Sequence, residues 1–171
     1  CHIIIFERKG EGVWIRQRDV GTFVKQACPS PDRTYGLSLS GDTLAVGGNG
    51  QSFAYVFVRD TVGIWTLQAN LTHVDVASSF DSATKQFTDR FGYWIRVHGD
   101  VLAIAANGDD DKGLNAGAVY LYTRAKGTWT FRAKLFANDG AVGDRFGSSI
   151  ALSETTLVVG ATGVSDQTIN G

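Results

Sequence analysis

The sequence contains no methionine, two prolines, two cysteines and three histidines in 171 residues. His2, His73 and His98 show no metal-histidine spacing, and neither a Gly-x-Ser-x-Gly elbow nor a phosphate loop is present. No catalytic constellation emerges. Neither sign of charge dominates: 16 Lys and Arg stand against 17 Asp and Glu, with no basic cluster. That balance gives no argument for a nucleic acid or anionic membrane partner. No apolar run approaches the roughly 18 residues of a membrane helix, so no membrane insertion is expected. There is no signal-peptide pattern, and the chain opens inside an apolar strand-like run. It therefore reads as mature, excised or partial. The length suggests about one domain, and no convincing amphipathic helix is found.

What the sequence does hold is glycine, 21 residues, or about 12% against a usual ~7%. It also holds one pattern written three times. Thr43-Leu-Ala-Val-Gly-Gly48, Val101-Leu-Ala-Ile-Ala-Ala106 and Thr156-Leu-Val-Val-Gly-Ala161 form one line of it. Ala54-Tyr-Val-Phe57, Ala118-Val-Tyr-Leu-Tyr122 and His2-Ile-Ile-Ile-Phe6 form a second, and Gly12-Val-Trp14, Gly63-Ile-Trp65 and Gly127-Thr-Trp129 a third. Leu44, Leu102 and Leu157 stand 58 and 55 residues apart. Self-similarity at such a period is the signature of a repeat architecture.

Each repeat carries four short apolar segments, in the second Ile95–His98, Val101–Ala106, Ala118–Thr123 and Trp129–Leu135. Gly41-Asp42 and Gly99-Asp100 read as hairpin turns, because glycine supplies a positive φ. The sequence therefore predicts an all-β protein of small four-stranded antiparallel sheets. Tyr55-Val-Phe-Val58, Val119-Tyr-Leu-Tyr122 and Leu157-Val-Val159 are apolar on both faces, which predicts sheets covered on both sides, as β-propeller blades stacked around an axis are. The fourth segment alternates: Trp65, Leu67, Ala69 and Leu71 are expected on one face and Thr66, Gln68, Asn70 and Thr72 on the other, an outer strand with one wet face.

Continued past Gly171 onto Cys1, the third repeat still reads in register: Asn170-Gly171 followed by Cys1–Phe6 matches Asn115–Tyr122. The expected division is residues 1–31 as the end of a blade, 32–88 and 89–143 as repeats, and 144–171 as the first half of a blade completed by residues equivalent to 1–31. Completion is expected in trans, in tandem or by closure, so the expected partners are further copies of the same repeat. Three blades alone would leave edges and apolar faces open.

Asp144-Arg-Phe-Gly-Ser-Ser-Ile-Ala-Leu152 with Thr156-Leu-Val-Val-Gly-Ala161, and Asp89-Arg-Phe-Gly92 with Leu102-Ala-Ile-Ala-Ala-Asn107, resemble the FG-GAP repeat, the blade unit of integrin α-subunit β-propellers. Asp32-Arg-Thr-Tyr-Gly36 departs from it by lacking Phe-Gly, and Asn107 and Thr162 stand where the family usually has proline. Asp32, Asp89 and Asp144 begin their repeats at equivalent places, as caps of a turn. The resemblance implies calcium in a hairpin loop. Asn107, Asp109, Asp111 and Asn115 fall at positions one, three, five and nine of the most acidic stretch, and hard cations want six to eight oxygens. Lys112 stands where the metal loop of the family has glycine, and its ammonium is expected to compete with the ion; the alternative is a solvated acidic turn.

Asn70-Leu71-Thr72 is the one N-glycosylation sequon, on the wet face of its strand. Cys1 and Cys28 either pair as a disulfide in an extracellular setting or are two small buried hydrophobes, with an intermolecular bridge from Cys1 a third option. The functional expectation is a non-catalytic extracellular or cell-surface protein, structural or adhesive, a repeating unit of a filament or long surface protein. The alternative is an integrin-like binding module for a protein or glycan ligand, with calcium.

Overall fold

The structure, a computed structural model, describes residues 3–17, 34–48, 52–72, 80–81 and 86–163. Two four-stranded antiparallel sheets are complete. The first runs β3 (Thr34–Ser40), β4 (Thr43–Gly48), β5 (Phe53–Arg59) and β6 (Trp65–Thr72). The second runs β9 (Phe91–His98), β10 (Val101–Ala106), β11 (Ala118–Ala125) and β12 (Thr128–Leu135). Two-stranded pairs flank them: β1 (Phe6–Lys9) with β2 (Val13–Arg16), and β13 (Ser149–Leu152) with β14 (Leu157–Gly160). A further short pair, β7 (Phe80–Asp81) with β8 (Gln86–Phe87), was not anticipated from the sequence.

The repeat seen in sequence is a repeat in register. Leu44 lies opposite Leu39, Leu102 opposite Val97, and Leu157 opposite Leu152. On the outer side Arg8 faces Trp14, Arg59 faces Trp65, and Arg124 faces Trp129. These cross-strand pairs fix which residue of one sheet is equivalent to which residue of the next.

Equivalent residues do equivalent packing. Ala45, Ala54, Val56 and Leu71 on one face of the first sheet form a core with Ile95, Val97, Leu102, Ile104, Tyr120, Tyr122 and Trp129 of the second. The other face of the first sheet, Leu44, Val46, Phe57 and Trp65, closes on Ile3 and Ile5. The second sheet turns Ala103, Ala105 and Val119 to Ile150, Leu152, Leu157 and Val159. The order is therefore the β1–β2 pair, first sheet, second sheet, β13–β14 pair. Sheets are closest at their first strands, where β9 lies against β3 and β13 against β9, and open toward β6 and β12. This fan is how blades stack about an axis, although nothing among the described residues closes the row into a ring.

The Phe-Gly motif works at the seams. Arg90 and Gly92 take φ +56 and +91, and Arg145 and Gly147 repeat this at +55 and +92. A Cβ on Gly92 would stand 2.6 Å from the Phe53 carbonyl oxygen and 2.9 Å from the Gly48 nitrogen. Only glycine combines that φ with such a close backbone approach. The preceding aspartate also has a fixed job: Gly108 N–H donates to the Asp89 carbonyl at 3.1 Å, and Gly163 N–H to that of Asp144 at 3.0 Å.

Three expectations need correction. The fourth strands do not keep one face, because Phe57 faces Leu67 while Val56 faces Ala69, leaving Gln68 as the extra residue of a β-bulge. Trp65 therefore packs toward Ile3, whereas Ala69 and Leu71 pack toward the second sheet. The strand expected from His2 to Phe6 begins at Phe6 and runs to Lys9, with β2 as its sole partner among the described residues. Leu157-Val-Val159 is not covered on both sides: Val158 is 61% exposed, while the equivalent Ala45 and Ala103 are fully buried.

Candidate functional site

The loop from β10 to β11 holds the acidic stretch, and the structure shows what its charges meet. Asp109 is buried. Its Oδ2 accepts the Tyr120 hydroxyl at 2.9 Å and pairs with the Lys134 ammonium at 2.8 Å. Its Oδ1 accepts the Asp111 N–H at 3.2 Å. The same ammonium lies 2.6 Å from Asp111 Oδ2 and 5.1 Å from the centre of the Tyr120 ring. Lys134 arrives there because β12 pairs it across from Tyr120 on β11.

The electrostatics follow from this packing. Burial alone would lower the Lys134 pKa, but its bonds to Asp109, Asp111 and Tyr120 outweigh burial and raise it. Burial drives the Tyr120 phenol upward and pushes that of Tyr122 to about 12. Asp89 is raised to about 7, first by burial and then by the neighbouring charges of Asp109 and Asp110.

Of the four residues proposed as calcium ligands, the loop brings Asp109 and Asp111 together, around an ammonium. Asn115 takes φ +53, and its N–H donates to Asp110 Oδ1 at 2.6 Å. Asn107 is buried, and its Oδ1 has no hydrogen-bond partner. The Lys112 ammonium sits over the Phe136 ring at 5.3 Å. Among the described residues no three His, Cys, Asp or Glu side chains converge as a metal set. The donor set fits an internal ion pair and does not fit a hard divalent cation, which needs six to eight oxygens.

A second constellation repeats at the outer ends of the sheets, and sequence reading missed it. Arg59 pairs with Asp42 at 2.7 Å and lies over Trp65, and Arg124 pairs with Asp100 at 2.7 Å and lies over Trp129. In the second sheet this group is stitched to the first. Gln68 Oε1 accepts the Trp129 indole N–H at 2.9 Å and an Arg124 N–H at 3.3 Å, and Thr43 Oγ1 accepts another at 3.0 Å. The signal lay in the recurring Arg followed by Trp five or six residues on, as in Arg59–Trp65 and Arg124–Trp129. The bulge that aims Gln68 across the seam carries no such mark.

Asn70 is exposed on β6 opposite Tyr55, so the sequon is accessible. Cys1 and Cys28 lie outside the described residues, as do His2, His73 and Asp32. Residues 65–122 and 129–171 match the FG-GAP repeat, bearing out the resemblance carried by the two Asp-Arg-Phe-Gly motifs. The matched units begin at Trp65 and Trp129, on the outer strands, one strand out of phase with the sheets. No curated protein matches the chain.

Proposed function

Because the chain belongs to the FG-GAP repeat family, we propose that it is a non-catalytic structural or adhesive repeat unit, whose row of blades is continued by another copy of the same unit. One observation carries this reading: residues that are buried at one seam are exposed where the row ends. Leu37 and Leu39 are 49% and 60% exposed, while their equivalents Ile95 and Val97 are 0% and 6% exposed. Trp14 is 62% exposed and its equivalent Trp129 is 8% exposed. Beside β1 a groove of about 270 Å³ runs between Ile3, Ile5, Leu37, Leu39 and Leu44.

The groove has the character of an unfilled blade. In the second sheet, the first two strands cover the equivalent space and pair with the third. The β13–β14 pair has the residues to do the same for β1, with Ile150 and Leu152 at the positions of Ile95 and Val97. A second copy placed one repeat further on would add β14 to the free edge of β1, by strand addition. A contact of that kind joins different surfaces of the two copies, so it generates a ring or an open filament.

Other features agree with a scaffold role. The aspartates at the sheet ends pair with arginines that lie over tryptophans, and the buried Asp109 is neutralised internally. On the same reading the unit is extracellular or at the cell surface, and Asn70 carries an N-linked glycan where the chain passes through a eukaryotic secretory pathway. Sedimentation across a concentration series tests the proposal. Reversible association of the wild type that Trp14→Glu abolishes is expected; a monomer at every concentration contradicts it.

A further inference from the structure

The row of sheets ends at β1–β2 on one side and at β13–β14 on the other, and each end carries half of an ion pair that both complete sheets make internally. Resting on the assembly read above, we propose that Arg8 pairs with Glu154 of a second copy, and that this ion pair selects which ends of two copies meet.

The complete sheets supply the template. In each, an arginine of the third strand binds the turn between the first two strands twice. Arg59 N–H donates to the Asp42 carbonyl and Arg124 N–H to that of Asp100, both at 2.8 Å. The guanidiniums pair with the carboxylates of the same aspartates at 2.7 Å, and each lies over the tryptophan opposite it. Arg8 faces Trp14 in the same register on β1. Both are exposed, and among the described residues no carboxylate pairs with Arg8.

The matching turn lies at the other end of the chain. Leu152 stands opposite Leu157 as Leu39 stands opposite Leu44 and Val97 opposite Leu102. Glu154-Thr155 therefore takes the place of Gly41-Asp42 and Gly99-Asp100. Thr155 holds the aspartate position, and Glu154 beside it is the sole acidic residue from 145 to 163. Glu154 is exposed and has no ion pair among the described residues. With β14 of one copy added to β1 of the next, Arg8 N–H would donate to the Thr155 carbonyl. Its guanidinium would then lie beside the turn, within reach of the Glu154 side chain, which is one methylene longer than aspartate. The copy that offers Glu154 also brings Arg132, the extra residue of the bulge in β12, to the position of Gln68, which accepts from Arg124 at the intact seam. A second guanidinium near Arg8 adds to the need for an anion there, because like charges brought together across an interface cost affinity.

Sedimentation of the full chain across a concentration series, with charge-reversed variants, tests the pair. Arg8→Glu and Glu154→Arg each place like charges at the junction, and each variant alone is expected to associate at least about tenfold more weakly than the wild type. Mixed in equal amounts, the two are expected to recover association near the wild-type level, since every junction of an alternating row then joins opposite charges. The double variant is expected to recover it as well. Recovery on mixing also separates a lost contact from a folding defect, which a complementary copy would not repair. If the wild type associates and both single variants match it, or if the mixture is no stronger than either variant alone, the ion pair is overturned and the assembly stands. A wild type that stays monomeric at every concentration overturns both.

Discussion

Leu39 and Val97 hold the same position in consecutive sheets, each opposite the leucine of the adjoining strand, yet Leu39 is 60% exposed and Val97 is 6% exposed. The difference is what lies next to them. Val97 meets the face of the first sheet, and Leu39 faces the groove beside β1. The pair makes a controlled experiment. Val97→Asp buries an unpaired carboxylate and is expected to cost more than about 3 kcal/mol in urea unfolding. Leu39→Asp is expected to change the stability of the isolated unit by no more than about 0.5 kcal/mol while abolishing association in sedimentation.

The glycine of the Phe-Gly motif gives a second prediction. Gly92→Ala must accept φ +91 and also crowd the Phe53 carbonyl of the preceding sheet. Gly63 has φ +88 with nothing within 4 Å of the Cβ position, so Gly63→Ala meets the backbone cost alone. Gly63→Ala is expected to lose roughly 1–2 kcal/mol and Gly92→Ala clearly more, as read from chemical unfolding of both variants. Equal losses would mean that the sheets do not meet closely at Gly92.

Gln68, the residue expelled by the bulge of β6, bridges the two sheets through Trp129 and Arg124. Gln68→Ala is expected to cost about 1–2 kcal/mol, while truncation of its exposed neighbour Leu67 costs less. Trp129→Phe removes the indole donor from the same bond. The double variant should therefore lose less than the sum of the two single variants, the signature of a shared interaction.

Asp89 sets a pH dependence. Burial, reinforced by Asp109 and Asp110, holds its folded pKa near 7, above the ordinary 3.8. Between those values the folded chain keeps a proton that the unfolded chain releases. The contribution of Asp89 to stability is therefore highest below about pH 4 and declines as the pH rises to about 7. Other carboxylates titrate in the same range, so the difference between wild type and Asp89→Asn isolates the effect. That difference in unfolding midpoint is expected to shift in favour of Asp89→Asn from pH 4 to pH 7; a flat difference contradicts it.

Much of this architecture is legible in the sequence because repetition averages out local ambiguity. The leucine line, the Gly-Asp turns and the Tyr-rich strands each recur at a nearly constant period; Leu44, Leu102, both turns and the Tyr-rich strands fall in the two complete sheets, and Leu157 in β14. What escaped is what pairwise register decides. A bulge does not announce itself in the alternation of Trp65, Leu67, Ala69 and Leu71, since hydrophobic residues can serve either face of a doubly covered sheet. The acidic loop likewise drew attention to Lys112, its neighbour in sequence. The lysine that neutralises it lies 23 residues on from Asp111, and only the β11–β12 pairing brings it there. The exposure of Val158 was hidden for a similar reason, because an apolar strand looks alike inside a stack and at its end.

The proposed assembly requires that the row of blades be continued by another copy. Electron microscopy of the native material, paired with its mass under denaturing conditions, tests this most directly. Elongated particles with an axial repeat of one or a few units are expected, with the denatured mass separating strand-exchanged chains from covalent tandem repeats. A single closed ring of seven blades within one longer chain would contradict it.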